Sequence, residues 1–371
     1  MNKIRLSKSS ISSLEKQAVI DVLEQEYLGM GTSTQAFEIR VSEYLGIPAK
    51  NVVSVNTGTS ALHIALVALD IGPGDEVLVP SLTYVASFQA ISATGAVPIA
   101  CEVNEDTLFI DEKDAKSKIT RNTKAIMPVH YASSCKGIEA IYELAKEFNL
   151  RVIEDAAQAF GSFHEGKVVG SVGDVICFSF DGIKNITCGE GGAVVSADEI
   201  VLNKVKDMRL LGVEKDTEKR YQAQRSWDYD VFLQGFRYHL SNINAAIGIE
   251  QLKRLQIFKN KRQSIVQSYI DAFRNFENVK FLALDYNSIM PHIFVVLVDD
   301  RDGLREYLLS KNIECGIHYK PNHLLTKYKI EFPLPITEAI YSRILTLPCH
   351  FDLSQVEIDT VIEKVKEFYG K

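Results

Sequence analysis

A lysine does covalent chemistry only where its amine can shed a proton and meet an electrophile. Residues 177–195, CFSFDGIKNITCGEGGAVV, read as strand, turn and strand, with Lys184 in the turn and Gly189, Gly191 and Gly192 after it. A lysine at a strand end facing a cleft forms a Schiff base once its pKa falls; on an open loop it is a solvated charge. Ser179 closes the first strand, and the glycines would let the backbone pass close to a bound ring. Three more groups have chemistry to offer. In VNTGTSALHIAL, a strand gives way to Gly58, Thr59 and Ser60 before a helix, which makes either an anion cradle of backbone N–H groups or an ordinary N-cap turn. In RVIEDAAQAFGS, Asp155 ends an apolar strand, where a carboxylate either caps the next helix or answers a buried cation such as a protonated pyridine nitrogen. Gln158 lies one turn further on, and Glu154 points to the opposite side. In SLTYVAS, Tyr84 follows a strand and is either a core aromatic or a platform for a flat ligand. Phosphate anchor, ring platform, pyridinium partner and amine are the four needs of pyridoxal 5′-phosphate.

The elements that must position these groups alternate in type. From residue 50, NVVSV, EVLVPS, VPIACEV, AIMPVHY and RVIEDAA are strand candidates, separated by helical patterns. In the first of these, Leu62, Ala65, Leu66 and Leu69 share one face. The rhythm predicts an α/β fold with a mostly parallel sheet covered by helices on both sides, and ligands in such sheets bind beyond the carboxyl ends of the strands. Ser12 and Glu15 form a capping box ahead of an N-terminal helix. Residues 212–235 are polar and irregular, and long loops of this kind are often functional. A helix begins at Ser241, and a smaller C-terminal unit, with HIFVVLV as strand and VEIDTVIEKVKEFY as helix, is expected from about residue 255.

The 371 residues are 46% hydrophobic, enough for two domains. The net charge of −7 and the lack of a basic stripe argue against nucleic acid. The basic N-terminus lacks the apolar core of a secretory signal, and no apolar run is long enough for a membrane span. Six scattered cysteines fit reduced thiols in the cytoplasm.

The blocks VNTGTSALHIALVALDIGPGDEVLVPSLTYVAS, VIEDAAQAFGS, GSVGDVICFSFDGIKNITCGEGGAVVS and GFRYHLSNINAAIGIEQL, with LGMGTSTQAFE before them, cover most of the chain. Together they resemble the DegT/StrS family of sugar-nucleotide aminotransferases, pyridoxal-phosphate enzymes of the aspartate aminotransferase fold (fold type I). The resemblance implies a large cofactor domain, residues 1–254, with a mixed, mostly parallel sheet, and a smaller α+β domain, residues 255–371. It implies that Lys184 holds the cofactor, Asp155 pairs with its ring nitrogen, Gln158 lies near its ring hydroxyl and Tyr84 stacks on it. Gly58, Thr59, Ser60 and Ser179 would hold its phosphate. His318 and Tyr319, in GIHYKPNHLL, match the family's substrate-side segment; an ordinary structural role fits them as well.

The same resemblance implies a homodimer with shared active sites, the 212–240 segment being the arm that crosses between subunits. Two departures stand out. Arg237 occupies the place of an asparagine that reaches the partner's cofactor phosphate in many relatives, and either binds that phosphate or braces the loop. Ala132 follows Tyr131 where relatives often have glycine. The presence of Lys184 argues against the dehydratase sub-branch, which has histidine there. The expected activity is transfer of nitrogen from L-glutamate to a nucleotide-linked 4-keto-6-deoxyhexose, giving an amino sugar for surface polysaccharide such as O-antigen or for a glycoconjugate. A 3-keto sugar, a 2-oxo acid on the same fold and a cofactor-free regulatory protein are the alternatives.

Overall fold

A computed structural model describes residues 3–224 and 227–370. Its main sheet is built from β1 (Val52–Val55), β2 (Glu76–Pro80), β3 (Val97–Cys101), β4 (Thr123–Ile126) and β5 (Arg151–Asp155), joined after a small hairpin of β6 (Phe163–His164) and β7 (Lys167–Val168) by β8 (Val175–Ser179) and β9 (Gly192–Ser196). The order is β1-β9-β8-β5-β4-β2-β3, and only β9 runs against the rest. The mostly parallel sheet expected from the alternating pattern is therefore present.

Residues on these strands are apolar on both sides because both sides are covered. Along β8, Ile176 and Phe178 enter one core with Phe37, Ile141 and Phe160, while Val175 and Cys177 enter the other with Ile64, Leu66 and Phe88. The alternation follows from the two-residue period of a strand. The helix Gly58–Ala68 is buried on nearly every side, not on the single face that its periodicity suggests, because it lies between the sheet and the helices Val85–Ala93 and Glu199–Met208.

A second sheet holds β10 (Val279–Phe281), β11 (Phe294–Val298) and β12 (Ile344–Leu347), all antiparallel. Helices Leu255–Phe273, Arg301–Ser310 and Gln355–Phe368 pack on it around a separate core. The start of the chain joins this unit: Ile4 bridges Ile313 and sits in that core, and Leu6 N–H donates to Glu314 Oε2 at 3.0 Å. The capping box at Ser12 and Glu15 is formed, and Ser241 caps the helix Asn242–Lys253. Among the described residues no helix is long and apolar enough to cross a membrane. All six cysteines are buried and unpaired.

The polar segment after Gly212 is not wholly irregular. It contains a helix, Asp216–Tyr221, and Val213 bridges Val231. Its anchor is Arg209, which is fully buried and donates to Glu38 Oε1 at 2.6 Å, to the Ser54 carbonyl at 2.7 Å and to Tyr221 Oη at 2.8 Å. Tyr221 Oη–H donates in turn to the other oxygen of Glu38. Removing one side of a buried pair strands the other charge. Arg209→Ala should therefore lower the unfolding free energy by ~3–5 kcal/mol, and Arg209→Met with Glu38→Leu should recover much of that loss. Urea unfolding of both variants checks this; a change in Arg209→Ala below ~1 kcal/mol would contradict the anchoring role.

Candidate active site

Four parallel strands, β1, β2, β5 and β8, end on the same edge of the main sheet, and the segments that follow them line one cleft of ≈ 540 Å³. The other wall comes from the second unit, through His292, His318, Tyr319 and Thr346. A volume of this order suits a ligand of cofactor size.

After β1 the chain turns into the helix Gly58–Ala68 with Thr57 as its N-cap. Thr57 Oγ1 accepts from Ser60 N–H at 3.0 Å and lies 2.8 Å from Ser60 Oγ. Ser60 is thus occupied by the cap and does not line the cleft, whereas Thr57, Gly58 and Thr59 do. The first N–H groups of a helix lack partners within it, and with the helix dipole they favour an anion. Ser179, at the end of β8, faces them. A Cβ on Gly58 would stand 2.6 Å from Ser179 Cβ, so only glycine lets this strand end and this helix end meet.

After β2, Tyr84 caps the helix Val85–Ala93, is 58% exposed, and holds its ring 5.6 Å from that of Tyr319. One turn on, Ser87 Oγ–H donates to Asp155 Oδ2 at 2.7 Å. Asp155 is the last residue of β5, is buried, and also accepts from Ala157 N–H at 3.2 Å. Burial raises its pKa; Ser87, Ala157 and the charge of Lys184 pull the other way. Its neighbour Glu154 faces the opposite side and is buried, accepting from Tyr142 Oη–H at 2.6 Å with His130 Nε2 at 2.8 Å.

Gln158 is held from two sides, accepting from Ala132 N–H at 2.9 Å and donating to Tyr319 Oη at 3.3 Å. Ala132 takes this place in the left-handed region at φ 49°, a conformation that costs a residue with Cβ about 1–2 kcal/mol and that a glycine would adopt freely. His318 Nδ1 lies 2.8 Å from Thr346 Oγ1, and burial lowers its pKa to about 4, so the ring is neutral. Tyr131 Oη–H donates to the His318 carbonyl.

Lys184 follows β8 and points its amine into the cleft, 3.5 Å from His292 Nε2. Burial lowers its pKa, opposed by the charges of Asp155 and Asp181. The turn is pinned by the next residue: Asn185 Nδ2 donates to the carbonyls of Gln158, Phe160 and Met290 at 3.2, 2.8 and 3.0 Å. The glycines after the turn serve the protein's own backbone more than a ligand. Gly189 is left-handed at φ 79°, and Gly192 lies too close to the Thr57 carbonyl for any Cβ to fit. Arg237 is exposed, bridges Leu210, accepts from Asn56 Nδ2 through its carbonyl at 3.5 Å, and does not line this cleft.

Of the residues expected from the sequence, Gly58, Thr59, Tyr84, Asp155, Gln158, Ser179, Lys184, His318 and Tyr319 come together around one cleft; Ser60 and Arg237 do not line it. Thr57, Ser87, Asp181, Glu190 and His292 escaped the sequence reading. Only Thr57 had a signal there, as the residue ahead of a helix start.

An aldehyde that bears a phosphate and a basic ring nitrogen matches these groups one for one, and the fit rests on Gly58 kept clear of Cβ, on a buried carboxylate and on an amine of lowered basicity. Fold and site define a pyridoxal-phosphate enzyme of fold type I. The comparisons place it further. Residues 9–366 match the DegT/DnrJ/EryC1/StrS aminotransferase family, and the chain belongs to that family. It is 34% identical, over 97% of its length and 96% of the relative's, to the uncharacterized protein MJ1066 of Methanocaldococcus jannaschii. The aminotransferase TlmJ of Streptoalloteichus hindustanus superposes with a TM-score of 0.93 at 30% identity, over 99% of each chain. The putative sugar aminotransferase Spr1654 of Streptococcus pneumoniae, in its pyridoxamine-phosphate form, gives 0.90 at 30% identity, over 99% of this chain and 97% of that one; its pyridoxal-phosphate form is also solved.

A lysine with lowered pKa destabilises the protein that holds it. The unfolded chain binds its proton up to about pH 10.5, the folded chain to a lower pH. Stability therefore rises with pH between the folded and unfolded values. In the cofactor-free protein, Lys184→Met should raise the melting temperature at neutral pH, and the gain should shrink towards pH 10.5. Thermal melts across that range check the sign; a gain that grows with pH would contradict it.

Proposed function

We propose that the protein transfers an amino group from L-glutamate to a nucleotide-linked keto sugar, most directly a 4-keto-6-deoxyhexose. The observation that carries the reading is the placement of Lys184 and Asp155 in one cleft at the carboxyl edge of the sheet, each withdrawn from water and neither joined to the other in a salt bridge among the described residues. Pyridoxal phosphate, when bound, supplies the aldehyde that carries nitrogen and the ring that takes up electrons from the donor's α-carbon.

The residues then have separate tasks. The backbone N–H groups at Gly58 and Thr59, with Ser179, bind the phosphate end. Tyr84 would supply an aromatic platform for the ring. Asp155 as a carboxylate keeps a proton on the ring nitrogen, and Ser87 and Ala157 hold it in that form and orientation. Gln158, fixed by Ala132 and Tyr319, would offer its amide to the polar edge of the ring. Lys184 would hold the aldehyde, and its amine, of lowered basicity, would accept a proton from the donor and give it up again within the cleft. His318 and Tyr319 face the acceptor side.

The sugar reading is supported by the family and by Spr1654, itself described as a putative sugar aminotransferase. Trp227, Phe232 and Tyr229 are exposed at 91%, 73% and 59% in the 212–240 segment, an apolar surface suited to a second subunit. This supports a homodimer in which that arm, with Arg237, reaches the partner's site. The place of work is the cytoplasm, on the way to an amino sugar for surface polysaccharide or glycoconjugate.

Purified protein should show the visible absorption of bound pyridoxal phosphate, and Lys184→Ala should lose that band and all turnover. A panel of 4-keto and 3-keto sugar nucleotides against 2-oxo acids, with glutamate as donor, decides the acceptor. Preference for a 2-oxo acid would make it an amino-acid aminotransferase; protein that neither binds pyridoxal phosphate nor transfers nitrogen from glutamate would overturn the reading.

A further inference from the structure

His292 sits in the wall opposite Lys184, in the segment that leads into β11. It is 5% exposed, and its Nε2 is 3.5 Å from Lys184 Nζ. Its other ring nitrogen, Nδ1, is buried with no hydrogen-bond partner among the described residues. The backbone fixes the ring in place: His292 N–H donates to Ser133 Oγ at 2.9 Å, and Ser133 Oγ–H donates to the Gln158 carbonyl at 2.5 Å. That same carbonyl accepts from Asn185, the residue after the lysine. Lysine turn, Gln158 and His292 are thus tied to each other through one carbonyl and one hydroxyl.

The partners decide the tautomer. A neutral imidazole has one N–H and one bare nitrogen. An N–H placed on Nδ1 would be an orphaned buried donor, the rarer and costlier case; a bare Nδ1 is an under-satisfied acceptor, which proteins tolerate better. The proton therefore belongs on Nε2, the nitrogen that faces Lys184. Burial is the main reason the ring stays neutral, and the surrounding groups Lys184, Arg262 and His318, which carry positive or no charge, act in the same direction. An Nε2–H aimed at Nζ has a partner only when the amine is unprotonated and has a lone pair to offer. The distance is long for a hydrogen bond, as such contacts often are before a reaction complex forms.

We propose that His292 is a positioning residue for Lys184: its Nε2–H donates to the free amine, holds Nζ at the cleft, and favours the unprotonated amine that the reaction uses as nucleophile and base. The proposal rests on the aminotransferase reading for its use in catalysis, but not for the contact itself. When Lys184 takes the donor's α-proton it gains a third N–H and loses its lone pair, so the contact to Nε2–H turns unfavourable. His292 thereby favours onward transfer of that proton over its retention. Asp155 and Asp181 act in the opposite sense, since both favour the ammonium, and Tyr84, Glu190, Tyr319 and Cys349 complete the titratable groups that line the cleft.

The test uses cofactor-free protein, where Lys184 is free. Its reactivity towards a small acylating reagent is followed by peptide mass spectrometry from neutral to alkaline pH, with exposed Lys280 as internal standard. His292→Phe keeps the site apolar and removes the donor; the apparent midpoint for Lys184 should move up by about half to one pH unit. His292→Met serves the same purpose should the phenylalanine variant not fold. His292→Gln, which offers an amide N–H, should stay nearer the wild type. In loaded enzyme, the apolar variants should keep cofactor and the KM for glutamate while kcat falls about tenfold, a change of the size that one lost hydrogen bond gives. A midpoint that stays put or moves down in the apolar variants overturns the proposal. Failure of nitrogen transfer with an upward shift would instead count against the aminotransferase reading and leave the His292 contact standing.

Discussion

Asp155 and Lys184 are withdrawn from water in the same cleft without forming a salt bridge, and the rest of the site is arranged around that separation. Burial pushes each towards its neutral form, the carboxyl upward and the amine downward, while each feels the other's charge. A direct pair would relieve the strain on both, but it would also occupy both groups. Held apart, each remains open to a third party: the carboxylate to a ring cation, the amine to an aldehyde. The geometry that prevents their closure is therefore as much a part of the chemistry as the groups themselves.

That geometry comes from strand ends and from polar side chains that bind backbone. β5 and β8 are neighbours in the sheet and deliver Asp155 and the lysine turn to the same edge. Ser87 takes one oxygen of Asp155. Asn185 spends its amide on three carbonyls and so removes freedom from the turn, from the segment after Gln158 and from Met290 at once. Ser133 extends the frame to His292 in the opposite wall. Sites of this kind carry unfavourable burial because the surrounding elements leave the groups no other place to go.

Much of the fold was legible because its signals are local. Strands covered on both faces read as short apolar runs, and the capping residues Ser12 and Ser241 announce helix starts from side chains a few positions away. Lys184, Asp155, Tyr84 and the turn at Gly58 were legible as a set, since each follows a strand candidate and strand ends share an edge. What escaped depends on contacts between distant segments. His292 lies 108 residues from Lys184 and has no spacing relation to it. Ser60 read as a ligand-facing hydroxyl, but its bond to Thr57 is set by the cap geometry. The helix Asp216–Tyr221 sits in a polar stretch with no apolar period, and its anchors, Arg209 and Glu38, lie outside it. Glycines after the lysine suggested room for a ring; Gly192 instead makes room for the backbone at Thr57.

Membership of the DegT/DnrJ/EryC1/StrS aminotransferase family and the arrangement of the cleft support the central proposal, that the cofactor attaches to the amine of Lys184. Borohydride reduction of the protein loaded with pyridoxal phosphate, followed by peptide mapping, tests it most directly. The account predicts a single phosphopyridoxyl group on the peptide that contains Lys184. A label on another lysine, or none at all on protein that holds the cofactor, would contradict it.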